Sequence, residues 1–119
     1  NLTNRSLCRA TDYCGVVSGR DEDKFQKMGL TEAKSRMIKA PGIEQSPVSL
    51  ECVVKQRLDL GTHVCFVAEV VSVDVDDKYL DEEGRLDLEK ADLIAYSHGQ
   101  YYALGEKLGK FGFSVKKTK

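Results

Sequence analysis

From Val48 to Leu60, apolar and polar side chains alternate along the chain. Val48, Leu50, Cys52, Val54, Leu58 and Leu60 alternate with Ser49, Glu51, Lys55, Arg57 and Asp59. Alternation of period two over this length predicts a strand with one buried face, so Leu50, Cys52 and Val54 are expected inside. The stretch His63–Val75 is dense in valine and apolar on both faces, the pattern of a strand with cover on each side. Between them lies Leu60-Gly61-Thr62-His63, and Gly61 supplies the backbone freedom of a tight reversal. The whole of Val48–Asp76 therefore reads as one antiparallel hairpin. His63 stands where its second strand begins, at the rim of a rigid sheet, and rims are where sites tend to lie.

The periodicity changes elsewhere. From Thr3 to Val17 it is helical: Leu7, Ala10, Cys14 and Val17 share one face, Thr3 or Asn4 caps the start, and Gly15 and Ser18-Gly19 loosen the end. Asp21 is expected to cap a second, short helix, with an apolar patch of Phe25 and Met28 and a stop at Gly29. Thr31–Ala40 reads as a link with one short strand, and Pro41-Gly42 and Pro47 lead into the hairpin. Leu86–Lys90 is a turn or short helical piece. Two short strands, Leu93–Ser97 and Gln100–Leu104, flank His98-Gly99 and gather Tyr96, Tyr101 and Tyr102. The glycine-spaced aromatic segment Leu104–Val115 is expected to pack closely on something. The chain thus divides into a helical segment (1–30), a stranded part (31–115) and a basic tail (116–119).

Composition narrows the function without naming it. A chain of 119 residues with 18 Lys and Arg against 19 Asp and Glu fits one near-neutral domain, and its charge points to neither nucleic acid nor an anionic membrane. No apolar run reaches the ~20 residues of a spanning helix, and no signal peptide is visible. Cys8, Cys14, Cys52 and Cys65 form no C-x-x-C pair and no set with the two histidines at zinc-site spacing, which speaks against a zinc site. Cys52 and Cys65, inside strand patterns, read as small buried hydrophobes. The chain reads as cytoplasmic and reduced, so the sequons at Asn1 and Asn4 carry no meaning. The acidic run Asp76–Arg85 fails the EF-hand spacing, because glycine is absent from the sixth position and glutamate from the twelfth. Neither a nucleophile elbow, a P-loop nor a G-x-G-x-x-G motif is present. What remains is a rim histidine (His63), a lysine after a Ser-Gly turn (Lys24) and the tyrosines.

Three stretches together resemble the flavin reductase-like, or flavoredoxin, family: Asp12–Phe25 with its Val17-Ser18-Gly19, the turn Gly61-Thr62-His63 within a long hairpin, and His98–Gly105 with Phe111-Gly112-Phe113. The likeness runs in the family's order over essentially the whole chain. It implies an FMN-binding split barrel, a Greek-key antiparallel barrel flanked by helices. The family's first strands have no counterpart here, so the barrel is expected to be incomplete, as in the later part of such a domain. The resemblance implies a homodimer and a flavin-dependent oxidoreductase or electron-transfer protein, with NAD(P)H as electron donor or a redox protein as partner. On it, His63 is the catalytic residue beside the flavin. Lys24, Ser18 and Gly19 lie on the cofactor's side of the helix, and Tyr96 or Tyr101 is the aromatic near the ring. His63 is then expected to share a cavity with Lys24 or a tyrosine. The alternative is a non-catalytic split-barrel binding or dimerisation module that does not retain FMN.

Overall fold

Asn4 starts the first helical segment, its side-chain oxygen accepting from the Leu7 N–H at 3.2 Å. One 3-10 turn, Arg5–Leu7, runs into α1 (Cys8–Val16). The second helix, α2 (Lys24–Met28), is capped by Asp23, which accepts from the Gln26 N–H at 3.1 Å. The expected cap, Asp21, lies in the preceding turn, with its N–H on the Ser18 carbonyl. Gly29 ends α2 at φ 63°, a left-handed conformation that glycine adopts freely. The computed structural model describes residues 1–115 of the chain, and the basic tail lies outside them.

The strands form three separate antiparallel pairs. The short strand expected in the link is β1 (Glu32–Ala33). It pairs with β2 (Gly42–Ile43), which is too short for any alternation to announce it. The long hairpin is β3 (Val48–Asp59) with β4 (Val64–Val75). Two bulges interrupt it. Glu51 faces Ser72 while Cys52 faces Val70, and Val54 faces Ala68 while Gln56 faces Val67, so Val71 and Lys55 are the extra residues. At its turn, Gly61 takes φ 84° and the Leu60 N–H donates to the His63 carbonyl at 2.9 Å. The third pair, β5 (Ile94–Ser97) and β6 (Gln100–Ala103), turns through His98-Gly99, both at positive φ. Residues 2–4 stitch the pairs together. The Leu2 N–H donates to the Val48 carbonyl at 2.8 Å, the Ile94 N–H to the Thr3 carbonyl at 3.2 Å, and Asn4 bridges Leu93.

Burial corrects the sequence reading. Leu7, Val48 and Ala91 are the buried apolar residues among those described, with Pro47 beside Val48. Leu50 is 40% exposed and Val54 55%, and Cys52 is half-buried. Cys65 is exposed, as are the β4 valines Val67, Val70 and Val73. Alternation reports that one face of a strand is apolar, but burial needs a second layer, and beyond the root, where the β1–β2 link packs on Ser49 and Glu51, no described element lies over this hairpin. The aromatic end is also uncovered, with Leu108, Phe111 and Phe113 exposed where close packing was expected. The radius of gyration agrees: 17.2 Å, against about 13.5 Å for a compact domain of this length. The chain is mainly β with two small helices, and the described strands do not close into a barrel on their own.

Candidate functional site

Helix α1 carries one group of the expected site residues at its C-terminal end and touches a second along its side. Its last turn ends at Val16, and Val17 turns extended with its N–H on the Tyr13 carbonyl. The chain then reverses through Ser18-Gly19, where the Ser18 hydroxyl accepts from the Arg20 N–H at 3.2 Å. Lys24, the first residue of α2, reaches back so that its Nζ donates to the Cys14 carbonyl. A cation on a helix's last carbonyls is favoured by the helix dipole. A Cβ on Gly19 would lie 3.8 Å from Lys24 Cε, so the turn wraps the lysine stem. Ser18, Gly19 and Lys24 therefore form one group at the C-terminal end of α1. Tyr13 braces it from inside, its hydroxyl bonded to the Glu22 carboxylate. That bond pushes the Tyr13 phenol above its ordinary pKa.

Tyr96 and Tyr101 form the second group. They face each other across β5 and β6, and their rings pack edge to face at 5.1 Å. Tyr101 is half-buried. Desolvation and the neighbouring Asp12 carboxylate raise its pKa. Tyr96 is 67% exposed and leaves most of its ring open. Arg5 holds this hairpin to α1, pairing with Asp92 at 2.7 Å. The two groups touch α1 at Asp12 and Cys14, two positions about 200° apart around its axis, and among the described residues no hydrogen bond or aromatic contact joins them.

His63 does not join them. It lies at the far end of a hairpin whose strands run about 40 Å from the base at Val48. Its Nδ1 is 2.8 Å from the Thr62 hydroxyl. Among the described residues, no hydrogen bond, ion pair or aromatic contact links it to Lys24, Tyr96 or Tyr101. The expected cavity shared by these residues is not formed by the contacts of a single chain. Because the ring is exposed and bonds only to its neighbour, His63→Ala is expected to leave the melting temperature within about 3 °C of the parent in a thermal scan.

Two structural residues escaped the sequence reading. Glu51 on β3 is only 4% exposed and accepts the Arg36 and Met37 N–H groups, each at 2.7 Å. Asn1 gathers the Ile43 N–H at 3.0 Å and the Ser49 hydroxyl at 2.9 Å on one side-chain oxygen. Neither had a signal, since Glu51 occupies a polar position of an alternating strand.

A family profile described as flavin reductase like domain matches residues 1–105. The chain belongs to that family. It is similar to the flavoredoxin of Desulfovibrio vulgaris (Miyazaki F), at 32% identity and a TM-score of 0.88, over 97% of this chain and 62% of that one. It is similar, too, to the flavoredoxin from Methanosarcina acetivorans, at 29% and 0.83, over 98% and 63%. A Shewanella frigidimarina protein whose description names a flavin reductase with a split barrel domain aligns at 26% and 0.77, over 93% and 57%. An uncharacterized protein of Aquifex aeolicus is 37% identical over 109 residues, 89% of this chain and 55% of its own. Another, of Archaeoglobus fulgidus, is 32% identical over 88 residues, 74% and 49%. The chain spans about half the length of these curated relatives. The three strand pairs are accordingly parts of a split-barrel fold, as the sequence resemblance implied.

Proposed function

We propose that this chain carries part of an FMN site and serves a flavin-dependent oxidoreductase or electron-transfer protein. The carrying observation is the group at the end of α1, in a chain of the flavin reductase-like family. The residues there suit the cofactor. Lys24 brings an ammonium with three donors, one of them spent on Cys14, and the Ser18 hydroxyl stands next to a glycine that leaves the approach open. Tyr96 offers an exposed ring face for stacking, held by Tyr101. Bound FMN would supply hydride or single-electron transfer, which no side chain of this protein provides. The chain's own part is to orient the cofactor and set the charge around it. His63, at the hairpin tip, is the proposed donor to the reduced ring. NAD(P)H is the proposed electron donor and a small redox protein the alternative partner.

Pairing of two copies belongs to the same reading. The four unpaired thiols fit a reducing cytoplasmic setting. Among the described residues, no helix is long and apolar enough to cross a membrane.

Titration of the purified chain with FMN, followed by flavin fluorescence, tests the proposal. Lys24→Ala is expected to weaken FMN binding about ten- to a hundredfold, the loss of one charge-assisted hydrogen bond of ~1.5–3 kcal/mol. Tyr96→Ala should weaken it less. Melting temperatures measured in parallel separate this from the loss of the Cys14 contact. A chain that binds no FMN yet still pairs would favour the second reading, a split-barrel dimerisation module.

A further inference from the structure

The segment between the two helices, residues 17–23, carries Ser18 and Gly19 and leads into Lys24. Its backbone bonds are short in range. The Val17 N–H holds to the Tyr13 carbonyl at 3.0 Å, the Asp21 N–H to the Ser18 carbonyl at 3.2 Å, and Asp23 caps α2. Beyond Val17, none of these ties the segment to α1. Two side chains do so. Lys24 crosses to the Cys14 carbonyl, and Glu22 crosses to the Tyr13 hydroxyl. The two bridges run from positions two apart at the entry to α2 to neighbouring residues of α1, and all four residues are half-buried.

The bridges differ in stiffness. A lysine stem is long and flexible and gives up much rotamer freedom to rest in one place. A tyrosine ring is a rigid spacer with little freedom to lose. Tyr13 stands on the helix, so its bond fixes the Glu22 carboxylate and with it the direction in which the chain delivers Lys24.

Charge decides what this achieves. The Glu22 carboxylate takes a neutral phenol and the Lys24 ammonium a neutral carbonyl. Among the described residues neither enters an ion pair. Glu22 is therefore held in place without neutralising the lysine beside it. Its bond also raises the Tyr13 pKa and so keeps the phenol a donor. We propose that Tyr13 and Glu22 are positioning residues for Lys24: their bond is a strap across the Ser18-Gly19 turn that presents the ammonium, its charge intact, to the flavin nucleotide. The ligand rests on the reading given under the proposed function, whereas the hold on Lys24 does not.

One experiment separates the two. The full chain is compared with Tyr13→Phe, Glu22→Ala, both together, and Glu22→Gln, which keeps an acceptor oxygen for the phenol. Without cofactor, the rate at which an amine-acylating reagent labels Lys24 is read by peptide mass spectrometry against the exposed Lys39. With FMN, affinity is read by flavin fluorescence, in these chains and again with Lys24→Ala added. Loss of the strap is expected to speed labelling of Lys24 about threefold or more and to weaken FMN binding about tenfold. The two substitutions together should do no more than either alone, and Glu22→Gln should return both values towards the parent. Tyr13→Phe should cost no further affinity once Lys24 is replaced. Labelling of Lys24 unmoved by Tyr13→Phe and Glu22→Ala overturns the strap. So does a loss of affinity that is the same with and without Lys24, which would mark a bond that serves the fold alone. A parent that binds no FMN, while its Lys24 labelling still answers to the strap, overturns the cofactor reading and leaves the strap standing.

Discussion

Val48→Asp is expected to abolish cooperative unfolding of this protein, while Val54→Asp, six residues along the same strand face, leaves it nearly unchanged. Both replace a valine that alternation assigns to the apolar side of β3. The structure separates them: Val48 is 1% exposed and Val54 is 55%. Val48 sits at the junction where Leu2 joins the hairpin, its carbonyl bonded to the Leu2 N–H, with Pro47 buried alongside. A carboxylate there would be stranded without a partner, at a cost of about 3–5 kcal/mol. That reaches the low end of the ~5–15 kcal/mol margin of an ordinary domain, and few buried residues exist here to absorb it. At position 54 the charge stays hydrated, and a change within about 0.5 kcal/mol follows. Urea unfolding followed by circular dichroism, at a concentration where the chain is monomeric, measures both. Equal destabilisation by the two substitutions would mean that the hairpin face is covered in the monomer.

Glu51→Gln should lower the melting temperature by on the order of 5–10 °C at neutral pH, and the difference should disappear in acid. The Glu51 carboxylate accepts two backbone N–H groups, from Arg36 and Met37, and so pins the link between β1 and β2 to the root of the hairpin. The Arg36 guanidinium completes the clasp on Asp74 of β4, at 3.0 Å. An amide has one acceptor oxygen and would leave one of the two N–H groups facing another donor. The Arg36 N–H bond is the main cause that holds the carboxyl below its ordinary pKa, with the Met37 bond adding to it against the opposing effect of burial. The sign follows. A carboxylate whose pKa is lowered by folding stabilises the protein above its unfolded value, near 4.3, and loses that contribution as pH falls through the folded value. Parent and variant should therefore melt well apart at pH 7 and draw together as pH falls past the unfolded value and through the lower, folded one. A gap that persists unchanged into acid would show that the Glu51 charge is not what holds the link.

Much of this protein was legible because much of it is local. Period-two alternation marks β3 within a dozen residues. Gly61 announces the turn by itself, because only a residue without a Cβ takes that conformation at no cost. Asn4 could be named as a cap because the contact spans three residues. Asp21 was the expected cap of α2, but the chain places it in the turn out of Ser18 and Asp23 caps the helix instead, a path that local composition does not report. The group Ser18, Gly19 and Lys24 came from the family likeness, and the structure brings it together because Lys24 finds a helix carbonyl ten residues back.

The sequence by itself determined the two helices, the long hairpin, the β5–β6 pair and the family, since each depends on the few residues around it or on a pattern held over the whole chain. Only the tertiary structure decided burial, and with it the site. A strand's alternation is the same whether its apolar side is covered or bare, and coverage depends on elements far away along the chain. So Leu50 and Val54 proved exposed and Val48 buried, and Glu51, polar by pattern, became the anchor of a link fifteen residues distant. His63 parted from Lys24 for the same reason. Twelve residues of extended β-strand carry it away from α1, and distance in space is set by how the whole chain runs, not by the residue types at its two ends.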